Sequence, residues 1–216
     1  VPMPLGSHED VTLKGLRIAM YTDNGLVAPS EPIAQGIRQA AQALKDAGAI
    51  INEAVPEALG RGTQLIKELR ASDGGAWVQR LIDRYGITQP APMVSYVLTG
   101  KEAMSVSQYT ALLEDLDTVR SEMLDFMRNF DAILCPPLPW AAVPHDTEPK
   151  AKYESWSNGY IYNLTGQPTG VVRANTTPEG LPVGVQIVGQ SWREDVVLAL
   201  LSHVEATVGG FVPPKL

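Results

Sequence analysis

The chain has a single cysteine, Cys135, so it forms no intramolecular disulfide and requires no oxidising compartment. It is also short of positive charge: 17 Lys and Arg stand against 24 Asp and Glu, giving a formal charge of −7 and a pI near 5.0. Without a basic field to gather phosphates, a nucleic-acid partner is not expected. No apolar run approaches the ~20 residues that span a bilayer, and the N-terminus lacks the basic-then-apolar order of a secretory signal. These absences lead us to expect a cytoplasmic setting with no membrane partner. A Pro-rich, unpatterned lead begins at Val1 rather than at Met, from which we expect that something upstream has been removed.

What is present is an ordinary globular balance, 44% hydrophobic and 19% charged over 216 residues, enough for one α/β domain across residues 1–216. Leu16 to Tyr21 is a short apolar run without alternation, as a strand covered on both faces requires. A helix is expected after it, with Ser30 as N-cap, Pro32 in the first turn and Ile33, Ile37, Ala41 and Leu44 on one stripe. Ala49 to Val55 then reads as a second, parallel strand. The turn between strand and helix lacks the G-x-G-x-x-G that brings backbone to a pyrophosphate, which rejects a nucleotide-binding fold.

Further on, Gly62 to Arg70 and the Trp77–Tyr85 stretch read as short helices. Val106 to Asn129 reads as a long one, opened by a Ser105/Gln108 capping box and carrying a core stripe through Tyr109, Leu112, Leu116, Val119, Met123, Phe126 and Phe130. Asp131 to Cys135 is a buried-type strand stopped by Pro136 and Pro137, with a proline-rich loop from Leu138 to Lys152 and a short helix over Lys152 to Tyr162. Thr169 to Ala174 and Val183 to Val188 are two β-rich runs around a turn with Pro178 and Gly180, hence a hairpin. Gly166, Gly170, Gly184 and Gly189 open room around it, which suits a strand end beside a pocket. A last helix is expected from Ser191, with Glu194 completing a second capping box.

Asn163-Leu-Thr-Gly-x-Pro168, Glu179-Gly-Leu-Pro-Val-Gly-Val-Gln-Ile-Val-Gly189 and Trp192-Arg-Glu-Asp195 together resemble the C-terminal end of the amidase-signature hydrolases. Leu13 to Ala19, the helix end at Ala40 to Gly48, and Phe130 to Pro136 resemble further segments of that family in the same order, so the resemblance covers most of the chain. It implies an α/β fold with a mixed sheet and flanking helices, the C-terminal portion of an amidase-signature fold. It also implies hydrolysis of carboxamide C–N bonds by a serine nucleophile, a bridging serine and a lysine base, with no metal or organic cofactor. In the family those residues lie in a G-G-S-S-G-G-like segment and a Val-Lys-Asp-like context, both upstream of everything present here.

No substitute for that triad emerges. There is no Ser-Ser pair, and the one Lys-Asp pair, Lys45-Asp46, sits at a helix end. A lysine base must be desolvated to be neutral, whereas Lys14, Lys45, Lys67, Lys101, Lys150, Lys152 and Lys215 fall in polar or end-of-element contexts. Cys135 is read as a core thiol, because the two prolines after it have no N–H to offer an oxyanion. His8, His145 and His203 lack partners at metal-ligand spacing. Ser191 is better used as a helix cap than as a nucleophile. Asp23, Asn24 and Glu154 are read as turn or surface groups rather than cleft acids.

The remaining role is pocket wall. By the resemblance, the segment before Asn163 lies beside the substrate, which makes Trp156, Tyr160 and Asn163 candidate lining residues, with Trp140 a fourth. Ordinary aromatic packing is the alternative for each of the three aromatics. The resemblance therefore implies a chain that supplies sheet strands and pocket walls, takes a small amide only in the full-length enzyme, and meets either its missing N-terminal part or another copy of itself. A stand-alone, non-catalytic binding or assembly module descended from an amidase is the alternative.

Overall fold

A computed structural model of the chain describes residues 6–92, 94–95, 102–144 and 157–213, with backbone alone at 157 and 158. Strand β1 (Arg17–Met20) places Ile18 and Ala19 on opposite faces, both fully buried, as its unbroken apolar run anticipates. Helix α1 (Glu31–Asp46) carries Pro32 in its first turn, and β2 (Ile50–Glu53) returns parallel to β1. The hydroxyl of Ser30 makes no capping bond at the start of α1.

Strand β3 (Ala132–Cys135) runs parallel to β1 on its other side. Strands β4 (Thr169–Thr176) and β5 (Pro182–Gly189) form the expected hairpin, with β5 antiparallel to both β3 and β4. The sheet is therefore mixed, in the order β2-β1-β3-β5-β4.

The helices divide between its faces. Helix α1 and the last helix, α6 (Glu194–Val208), cover one face over a core of Ile18, Ile37, Leu44, Leu134, Val185, Ile187, Leu200 and Val204. On the other face lie α2 (Ala58–Ala71), α4 (Val106–Met127) and α5 (Ser157–Thr165), packed on Ala19, Ile133 and Val188 through Leu59, Leu65, Val119, Met123 and Ile161. A Cβ on Gly62 of α2 would lie 2.1 Å from Ile161 Cδ1, so glycine there lets α2 and α5 touch. Helix α3 (Ala76–Tyr85) buries none of its residues and leaves Trp77 and Tyr85 exposed.

Three expectations need correction. Two of the hairpin glycines make room for a helix rather than for a ligand: a Cβ on Gly170 would meet Leu201 Cδ1 at 2.2 Å, and one on Gly189 would meet Val197 Cγ2 at 2.7 Å, both side chains of α6. Helix α6 begins at Glu194 rather than Ser191; Arg193 is its N-cap without a side-chain bond, because Trp192 takes the left-handed conformation at φ 66° and breaks the helical path. The Ser105/Gln108 capping box of α4 is present, but the stripe behind it is not all core, since Tyr109 is 42% exposed and burial begins only at Val119, Met123 and Met127.

Candidate functional site

The parallel strands β1, β2 and β3 end on the same side of the sheet, the place where open α/β sheets offer a crevice. There a cleft of about 330 Å³ is lined by Met20 to Asp23 and by Glu53 to Val55. Its β1 wall is stiffened by two Asx turns: Asp23 Oδ1 accepts from the N–H of Gly25 at 2.8 Å, and Asn24 Oδ1 accepts from Leu26 at 2.9 Å. These are the turn roles read from the sequence. The loop after β1 is also tied to the loop after β3, since the N–H of Ser30 donates to the carbonyl of Pro139 at 2.7 Å. Trp140, next in the chain, is thereby held half-buried at this end of the sheet.

Behind the cleft runs a chain of buried polar side chains that sequence reasoning missed. Tyr21, just past β1, and Tyr162 of α5 share a hydrogen bond of 2.9 Å between their hydroxyls. The thiol of Cys135 lies 3.9 Å from the Tyr162 hydroxyl, and the Gln186 amide donates to the sulfur at 3.6 Å. Cys135 and Gln186 are register partners on β3 and β5, so the group follows one face of the sheet. Tyr21 and Tyr162 are 141 residues apart, and no periodicity announces their meeting. The one available signal was Gln186, the single amide in the apolar run from Val183 to Val188.

Burial sets the protonation of this group. Desolvation pushes the Cys135 thiol up to about 11 against the pull of its three hydrogen-bonding neighbours. Burial likewise raises both phenols, Tyr21 and Tyr162, above their ordinary value. All three are neutral near pH 7, and a thiol held protonated is a poor nucleophile.

The candidate lining residues fall on two elements. Tyr160 and Asn163 are on α5, Tyr160 buried with the Arg70 guanidinium 5.8 Å from its ring centroid, and Asn163 exposed. Trp140 is in the loop after β3, and Trp156 lies outside the described residues, as do Glu154 and His145. Lys14, Lys45 and Lys67 are exposed, and Lys101, Lys150, Lys152 and Lys215 also lie outside the described residues. His203 directs Nε2 at the carbonyl of Ala43, 3.2 Å away, a helix-to-helix contact between α6 and α1. Among the described residues no group of three or more His, Cys, Asp or Glu side chains is gathered as a metal site would require.

The described side chains thus line a cleft and brace it from behind with the buried polar chain. Residues 4–198 match the family described as Amidase. An acetamidase from Emericella nidulans is 26% identical, over 99% of this chain and 46% of its own length. A fatty-acid amide hydrolase 2-B from Danio rerio is 25% identical, over 94% of this chain and 43% of its own. An acylamidase from Rhodococcus erythropolis is 25% identical, over 90% and 43%. Among solved structures, a fatty acid amide hydrolase superposes with a TM-score of 0.80 at 22% identity, over 97% of this chain and 42% of that one. A bacterial aryl acylamidase gives 0.74 at 21% identity, over 91% and 44%. The chain thus spans about half the length of the relatives it matches.

Proposed function

We propose a function from one premise: the chain belongs to the amidase family. On that premise it is the C-terminal portion of an enzyme that hydrolyses a carboxamide C–N bond. A serine hydroxyl attacks the amide carbonyl, the amine or ammonia leaves with a proton relayed from the lysine through the bridging serine, and water then releases the acid from the acyl-serine. The serine, its bridging partner and the lysine belong to a part of the enzyme outside this chain. The portion described here supplies strands of the sheet and, through Trp140, Trp156, Tyr160 and Asn163, a wall of the pocket for a small-molecule amide. Its setting is cytoplasmic.

The observation that carries the reading is the family match over residues 4–198 in a chain spanning about half of its relatives' length. The site chemistry supports it. The described lysines are exposed, the one thiol is held protonated, and a base–nucleophile pair needs hydrogen-bond contact and a matched pKa. The purified chain, assayed with a panel of simple amides and an ester, is therefore expected to turn over none of them. Turnover abolished by a serine-directed phosphonate would overturn the assignment of the catalyst to another part.

A further inference from the structure

Among the described residues, the helices on the cleft-bearing face of the sheet stop short of its last strand. Strand β5 is buried along that face: Val188 is fully enclosed and Gln186 is 5% exposed. On the neighbouring strand Val171, the register partner of Gln186, is 56% exposed. Gly170 faces Leu201 of α6, so by the alternation of a strand Val171 faces the opposite side, away from α1 and α6. Pro137 borders the same spot, since a Cβ on Gly184 would lie 2.8 Å from Val171 Cγ1 and 3.6 Å from Pro137 Cγ.

Within this patch Gln186 has a polar atom to spare. Its Nε2 donates to Cys135 Sγ, while among the described residues its Oε1 has no hydrogen-bond partner and is not sealed from solvent. The strand's outer edge is partly open as well. Gly189 donates to the carbonyl of Pro168, which makes that pair a hydrogen-bonded position, and alternation then turns the amides of Thr169, Val171 and Arg173 outward. Arg173 occupies its own end of the edge, its guanidinium donating to Gly210 O at 2.8 Å and to Thr176 Oγ1 at 2.6 Å. The stretch from Thr169 to Val171 carries no charge, proline or bulge to deter a neighbour.

We infer that the patch formed by Val171, Pro137, the Gln186 carboxamide and the edge at Thr169 seats the catalytic part of the amidase, which covers Val171 and donates an N–H to Gln186 Oε1. The inference rests on the function proposed above and names the surface through which the two parts meet. The choice of occupant follows from length, since the relatives have about as much chain again as this one spans. The choice of surface follows from Gln186: exposed aromatics on α3 offer area, but the β4–β5 patch also offers a directional acceptor still open to solvent, which an apolar partner alone would cover and leave unmet.

The test compares this chain alone with the same chain expressed in continuity with the coding region upstream of Val1. Hydrogen exchange read by mass spectrometry is expected to slow at least about tenfold at residues 169–173 in the longer protein. In that protein Val171→Lys and Gln186→Leu are expected to lower kcat/KM about tenfold or more. Leu198→Lys, at an exposed position on α6 across the sheet, is expected to leave it unchanged. If the longer protein hydrolyses amides but residues 169–173 exchange as in the chain alone, the surface is overturned and the proposed function stands. If the longer protein has no amide turnover, the proposed function falls and takes the surface with it. If the chain alone sediments as a dimer that Val171→Lys converts to monomer, the occupant is a second copy and the inference is wrong.

Discussion

The two faces of the sheet share their strands but are held together by different physics. Against α1 and α6 the core is aliphatic, Ile18, Leu134, Val185 and Ile187 meeting Ile37, Leu44, Leu200 and Val204, with polar contacts at its margins, where Asn175 donates to the carbonyl of Pro32 and His203 meets that of Ala43. Against α2, α4 and α5 the core is aliphatic at Ala19, Ile133 and Val188, then turns polar towards the strand ends, where Tyr21, Tyr162, Cys135 and Gln186 are linked. An aliphatic interface is specified by volume and shape, and hydrophobic swaps that conserve volume are tolerated in it. A buried hydrogen-bonded chain is directional, since each group is satisfied in one arrangement and costly in others. The polar chain lies beside the cleft and beside the open patch at Val171, so the directional contacts are spent where helix α5 must sit correctly relative to a site.

The largest effects that would sharpen this contrast belong to the aliphatic face. Leu200→Ala and Ile187→Ala remove fully buried side chains and are expected to cost about 2–5 kcal/mol each in urea melts, as cavities in a close-packed core do. A loss well under that range would mean that the face collapses around the gap and is looser than its packing shows.

Alkaline pH should weaken the other face. The thiol of Cys135 titrates near 9 when free and near 11 in the fold. Between those values the native state holds a proton that the unfolded chain has released, so stability falls as pH rises. Each pKa unit is worth about 1.4 kcal/mol, so the loss approaches ~3 kcal/mol at full titration. The raised phenols of Tyr21 and Tyr162 add to it above their ordinary value of 10.0. The measurement is the urea midpoint from pH 8 to 11 for the wild-type chain and for Cys135→Ala, whose curve should be flatter over the lower part of that range. Equal slopes would show that the thiol ionises as freely in the fold as outside it.

Next in size is the phenol pair itself. Tyr162→Phe strands the Tyr21 hydroxyl in a buried site and is expected to cost about 1–3 kcal/mol. The double variant with Tyr21→Phe should cost less than the sum of the single changes, because it removes both halves of the bond. Additive losses would mean that the two hydroxyls do not depend on each other, and the directional account of this face would fail.

The aliphatic face was far more legible in the sequence than the polar one, for a physical reason. Apolar periodicity reports burial, so the strand at Leu16 to Tyr21, helix α1 and the β4–β5 hairpin were all readable, with element ends shifted by a few residues. Glycine was read half correctly. It announces a close approach, but nothing in Gly170 or Gly189 says whether a ligand or helix α6 approaches, and the structure puts Leu201 and Val197 there. The polar chain depends on Tyr21 and Tyr162 meeting across the fold, and neither residue departs from its local pattern. Of the pocket candidates, Tyr160 lies on α5, and it is its neighbour two residues on, Tyr162, that joins the buried chain.

The smallest predicted effect separates the helix starts on the two faces. The sequence offered the same Ser-x-x-Glu/Gln pattern at both, Ser105 with Gln108 and Ser191 with Glu194. At α4, on the polar face, the pattern is a real cap: the Ser105 hydroxyl accepts from the N–H of Gln108 at 3.2 Å, and the Gln108 side chain accepts from the N–H of Ser105 at 2.9 Å. At α6, on the aliphatic face, the left-handed Trp192 intervenes and the helix starts at Glu194 with no side-chain cap. Asp195 instead supports the first turn as a carboxylate near the positive end of the helix, held below its usual pKa chiefly by the bonds from Arg193. Ser105→Ala should therefore cost about 1 kcal/mol, while Ser191→Ala should stay within about 0.5 kcal/mol of wild type, both from thermal or urea melts. Equal costs would mean that Ser191 caps α6 in solution, and that the two faces begin their helices in the same way after all.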